Sequence, residues 1–200
     1  MSEPARPVLR PVYVLLDTSG STVRNGFVSA CERVLPQLVD AAGQRPGVLL
    51  SVLTYGTQAE VLLSISEPGD ICFIPALLPA GLSSLAAGLQ LLAGSVRQDI
   101  AQLAADGLAC LPPGMLVIAD GLPTDPAAGL LAARDALDTA VAGLPGPAAK
   151  APAPVYASRP DEGDQLAVTG LRMAYHPLPQ GTPAELASSV LGVFEEVLRR

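Results

Sequence analysis

Apolar residues fall along this chain in two alternating rhythms. Val12 to Leu16 form an unbroken apolar run that ends at Asp17, and Val48 to Tyr55 and Met115 to Ala119 repeat the pattern. Short apolar runs rich in β-branched residues read as strands buried on both faces. Between them, apolar positions recur at helical spacing. One series is Phe27, Cys31, Val34 and Leu38; the clearest is Leu85, Leu89, Leu92, Val96, Ile100 and Leu103. Leu130, Leu137 and Val141 form a third, and Leu186, Val190, Val193 and Val197 a fourth. Each marks the buried face of a helix. The pattern predicts strands over 11–17, 48–55, 59–65, 115–119, 155–157 and 171–175. The first helix is expected over 23–42.

Turn residues separate these elements. Gly43 and Pro46-Gly47 end the first helix. Gly56-Thr57 is too short for a parallel crossover, so the strand over 59–65 is expected to be antiparallel at the sheet edge. Residues 66–81 form a proline-rich loop, and 143–153 a flexible Pro/Gly/Ala loop. Asp125-Pro126 reads as a helix start with Asp as N-cap. Thr182-Pro183-Ala184-Glu185 reads as a capping box. Residues 159–165, with Arg159, Asp161, Glu162 and Asp164, read as a solvated turn or helix start. Strands alternating with helices give an α/β fold: a doubly wound, mostly parallel sheet with one antiparallel edge strand and helices on both faces. Residues 1–9 read as a short disordered lead and 10–200 as a single domain.

Composition narrows the picture. Half of the 200 residues are hydrophobic and 16% are charged, enough apolar matter for a full core. The net charge of −7 argues against nonspecific nucleic-acid binding. Cys31, Cys72 and Cys110 are odd in number and widely spaced, and read as reduced, buried cytosolic thiols. No signal peptide is visible. The stretch 71–96 is uncharged, but Pro75, Pro79 and Gly81 break it. It reads as a loop and a buried helix, and no membrane segment is expected. His176 has no nucleophile partner in sequence and reads as a surface or cap residue. Tyr13 and Tyr55 read as core, and Asp70 as a surface carboxylate.

Candidate chemistry gathers at the end of the first strand. Asp17, Ser19 and Ser21 are hard oxygen donors at alternate positions on a tight, Gly-containing turn. Such donors suit Mg²⁺, Mn²⁺ or Ca²⁺. In open α/β sheets, ligands bind beyond the carboxyl ends of the strands. A plain Asx/Ser turn is the alternative.

The segment Asp17-Thr18-Ser19-Gly20-Ser21 resembles the DxSxS motif of von Willebrand factor A domains, which opens their metal-ion-dependent adhesion site. Ala80-Gly81-Leu82-Ser83-Ser84-Leu85 extends the resemblance, and Asp120-Gly121-Leu122-Pro123-Thr124-Asp125 is similar to the DGxPTD segment of bacterial A domains of the tellurium-resistance-associated type. The match runs from about residue 8 to residue 200. The resemblance implies a divalent ion, Mg²⁺ first, held by Asp17, Ser19, Ser21, Ser83 and Asp120. Ser83 stands where the family has threonine, and Ser84 competes for that role. Ala119 stands where a hydroxyl residue often precedes the aspartate. Ser158-Arg159-Pro160 replaces a glycine-rich turn, a change expected to touch only the sheet's far side. Asp125, as a helix cap, stays outside the site.

The expected function is a noncatalytic protein-binding module in a cytoplasmic bacterial stress system of the tellurium-resistance type. Its ion would take a carboxylate from an acidic residue of a partner protein, with Leu82 and Leu122 as an apolar docking rim. One alternative is a degenerate scaffold that binds partners without metal. Another is a phosphotransferase of the haloacid dehalogenase type with Asp17 as nucleophile. That chemistry needs a second Asp two residues on, where this chain has Ser19. No P-loop, GxGxxG or GxSxG motif is present, so no enzyme activity is expected.

Overall fold

The computed structural model describes residues 8–159 and 170–200. The sheet is built on β1 (Val8–Asp17), its central strand. β1 pairs in parallel with β2 (Val48–Tyr55) on one side and β5 (Gly114–Ala119) on the other. Outside β2 lies β3 (Ala59–Ser66), the antiparallel edge strand. β6 (Val155–Ser158) and β7 (Ala174–Pro177) continue in parallel beyond β5. The order is β3-β2-β1-β5-β6-β7. A short β4 (Ala109–Cys110), absent from the sequence reading, pairs with the start of β1.

Side chains of β1 alternate between two cores, as a buried strand requires. Val12, Val14 and Leu16 pack with α2 (Phe27–Gly43) and α5 (Pro183–Arg199). Tyr13 and Leu15 pack with α3 (Leu85–Ala105) and α4 (Ala127–Ala142) on the opposite face. This is the expected doubly wound, mostly parallel α/β sheet covered on both faces. Tyr13 and Tyr55 are fully buried, and the Tyr13 hydroxyl donates to Asp99 Oδ2 at 3.2 Å.

Several boundaries differ from the sequence reading. β1 begins at Val8, so it reaches into the segment expected to be a lead. The helix expected over 23–42 is broken. α1 (Ser21–Arg24) is a single turn, Gly26 takes a left-handed φ of 73°, and α2 starts at Phe27. The last strand lies at Ala174–Pro177, not over 171–175, because Arg172 takes φ 54°, which no strand residue adopts. Part of the loop over 143–153 is a tight helical turn, Gly146–Lys150, with Ala148 buried. Cys31 and Cys110 are buried free thiols, whereas Cys72 is exposed, contrary to expectation. Of the expected turn over 159–165, residues 160–165 lie outside the described residues.

Candidate metal centre

Parallel pairing of β1 with β5 aligns Leu16 with Ile118, so Asp17 and Asp120 leave the sheet at the same edge. Three loops then meet. The Gly20 amide donates to the Gly81 carbonyl at 3.0 Å, and the Ala80 amide donates to the Thr18 carbonyl at 2.9 Å. These bonds join the loop after β1 to the loop before α3. Gly81 sits at φ 72°, and a Cβ there would fall 2.0 Å from Thr57 Oγ1, so the junction requires glycine. The Thr124 amide and hydroxyl both donate to the Ser83 carbonyl, at 2.8 and 2.9 Å, which ties in the third loop.

The side chains converge within this frame. Asp17 is 1% exposed. Its Oδ1 accepts the Ser19 amide at 2.8 Å, and its Oδ2 accepts the Ser83 hydroxyl at 2.9 Å. Ser19 Oγ lies 3.1 Å from Ser21 Oγ. The Thr22 hydroxyl donates to the Ser19 carbonyl at 2.6 Å and fixes the turn. Burial raises the Asp17 carboxyl above the usual carboxylate range; the donors from Ser19 and Ser83 pull the other way, and the Asp120 charge adds to the rise.

Asp120 has different partners. Its Oδ1 accepts from the Asn25 side-chain amide. The same oxygen lies 3.9 Å from Nη1 of Arg159, and both side chains of that ion pair are more than nine-tenths buried. Arg159 also donates to the Asn25 carbonyl at 3.2 Å, and its guanidinium lies 5.9 Å from the Phe27 ring centroid. Arg159 is therefore a buried residue at the site edge of the sheet, not part of a solvated turn on the sheet's far side. β6 carries it there, because Ala119 pairs with Ser158 in parallel.

Ser83, not Ser84, faces Asp17. Ser84 is the N-cap of α3: its hydroxyl accepts the Ala87 amide at 3.3 Å and donates to Asp125 Oδ1 at 2.7 Å. Asp125 was expected to cap the helix that follows it, but it caps a different one. Its Oδ2 accepts the Ala86 amide at 3.1 Å in the first turn of α3, while α4 has no side-chain cap. Leu82 and Leu122 are exposed on the two loops beside Ser83 and Asp120. Asp70 is exposed at the end of a short helical turn, and His176 lies on β7 opposite Ala157 of β6.

Asn25 and Arg159 were not assigned to the site from sequence. Asn25-Gly26 carries a local signal, since that pair favours a turn. Arg159 carries none, because its place follows from strand register alone.

The residues present fit a hard divalent cation. The donors are hydroxyls and carboxylates, and the buried Asp17 carboxyl lies where a cation would favour its charged form. Among the described residues, no three His, Cys, Asp or Glu side chains gather as a metal cluster. A site here would depend on the serines.

Neither the family models nor the curated proteins compared with the sequence give a match. Solved structures do. A von Willebrand factor type A protein from Catenulispora acidiphila superposes with TM-score 0.64 at 13% identity, over 96% of this chain and 43% of that one. The ArnB paralog VWA2 from Sulfolobus acidocaldarius gives 0.58 at 13% identity, over 94% of this chain and 45% of that one. An aerotolerance-related membrane protein from Bacteroides fragilis, carrying multiple mutations to serines, gives 0.58 at 14% identity over 95% and 99%. The chain spans less than half the length of the first two. It has the fold of von Willebrand factor A domains. No helix among the described residues is long and apolar enough to cross a membrane.

Proposed function

We propose that the chain is a noncatalytic protein-binding module that holds a divalent cation, Mg²⁺ first, and docks a partner's carboxylate on it. The observation that carries this reading is the cluster at the sheet edge: buried Asp17 bonded to Ser83 and to the Ser19 amide, with Ser21 and Asp120 on the same rim. Ser19, Ser21 and Ser83 would hold the ion directly, and Asp17 and Asp120 through water. Neutral hydroxyl ligands leave the ion electrophilic, which suits a partner carboxylate. Leu82 and Leu122, both exposed, supply apolar contact beside it.

A catalytic role for Asp17 is the weaker reading. Both of its oxygens already accept hydrogen bonds, it is buried, and Ser19 stands where a general acid would be needed. The free cysteines suit a reducing compartment, and a cytoplasmic location belongs to this proposal. The tellurium-resistance-type stress context rests on the segment Asp120 to Asp125 alone. A metal-free scaffold is the second reading, favoured by Arg159 beside Asp120.

Calorimetric titration with Mg²⁺ and Mn²⁺, followed by partner capture with and without chelator, tests the reading. Ion binding lost in Asp17→Ala and Ser19→Ala, with capture lost in parallel, supports it. Capture that survives both chelation and substitution gives the scaffold reading.

A further inference from the structure

We propose that Arg159 is a tethered competitor of the divalent cation: it satisfies Asp120 in the ion-free domain and sets how tightly the site takes an ion. The inference rests on the metal-centre reading above and assigns that site its regulating residue.

Strand register creates the pairing. β5 and β6 run in parallel with Ala119 opposite Ser158, so the next residues, Asp120 and Arg159, emerge side by side. The Arg159 side chain is 8% exposed, and Asp120 is the only acid within ion-pair distance of it among the described residues. A buried guanidinium needs a counter-charge. The Phe27 ring at 5.9 Å and the Asn25 carbonyl at 3.2 Å hold the group in place. Arg159 Nε has no hydrogen-bond partner among the described residues, so the guanidinium is not locked on every side.

The consequence for Asp120 is direct. Its Oδ1 takes the Asn25 amide and faces Arg159. A carboxylate already balanced by one cation has less to offer a second, and like charges raise each other's cost in a partly buried site. Arg159 and an ion therefore draw on the same charge. Without an ion, Arg159 offsets the carboxylate that would otherwise repel Asp17. With an ion, its contact to Asp120 weakens.

Titration of the full chain with MgCl₂ and MnCl₂ tests this in the wild type, Arg159→Gln and Arg159→Lys, with circular dichroism as the folding control. Arg159→Gln is expected to bind about tenfold more tightly than the wild type, and Arg159→Lys, which keeps the charge, to stay close to it. A role in folding alone would not tighten binding. The wild type offers a readout that needs no variant: the Arg159 Nε–Hε resonance should shift on Mg²⁺ addition. Binding by Arg159→Gln where the wild type shows none supports the proposal. Equal affinities, with a still Arg159 resonance, overturn it and leave the metal centre standing. No binding by either protein at millimolar ion overturns both.

Discussion

A carboxylate as deeply buried as Asp17 must find its hydrogen bonds inside the protein. It takes them from the Ser19 amide and the Ser83 hydroxyl. Removing the second donor leaves one oxygen of a buried acid without a partner. Ser83→Ala is therefore expected to lower unfolding stability by about 1–3 kcal/mol without ion, measured by urea denaturation. It should also weaken Mg²⁺ binding at least tenfold in titration. Asp125 gives a contrasting expectation. It caps α3 through the Ala86 amide, so Asp125→Ala should cost about 1 kcal/mol and leave ion affinity nearly unchanged. A large affinity loss in Asp125→Ala would place it in the site instead. The sequence named Asp17, Ser19, Ser21 and Ser83, and the loops bring these within hydrogen-bond reach of one another or of a shared neighbour. Arg159 was misread because an arginine between a strand and an acidic stretch looks solvated. Only pairing of β6 with β5 buries it against Asp120.

Elements were legible where one local force dominates. The apolar runs of β1, β2 and β5 and the periodic faces of α3 and α5 need no tertiary information to be read. Boundaries failed where a single backbone angle decides. Gly26 at φ 73° splits the first helix, and Arg172 at φ 54° delays β7. The capping box of α5 was visible as Thr182 and Glu185, and both of its bonds form. Thr182→Ala should lower stability by about 1 kcal/mol in thermal or urea unfolding. The box has a pH signature. Bonds from the Thr182 amide and hydroxyl hold the Glu185 carboxyl below its usual value. Its contribution is therefore complete above the ordinary glutamate range and is lost as pH falls through the lowered value. The stability gap between wild type and Thr182→Ala should narrow in acid. A gap that widens in acid would contradict the capping role.

At the scale of the molecule, the doubly wound sheet brings distant segments to one edge. Residues 17–21, 80–84 and 120–125 are far apart in sequence and adjacent in space because β1 and β5 are parallel neighbours. That much follows from the alternation of strands and helices. The Asp120 charge also adds to the rise of the Asp17 carboxyl, a cost that Arg159 offsets only in part without an ion. An ion at a hundredfold its dissociation constant should stabilise the domain by about 2.7 kcal/mol, or roughly 5–10 °C in Tm. Chelator should remove the shift, and Asp17→Asn should abolish it.

The central claim is that the serine-lined edge beyond β1 holds a divalent ion. Paramagnetic broadening of backbone amide signals by substoichiometric Mn²⁺ tests it most directly. The account predicts that the amides of residues 17–21, 82–84 and 120–121 broaden first, and that excess Mg²⁺ restores them. Broadening scattered over exposed carboxylates elsewhere, with these amides unchanged, would contradict it.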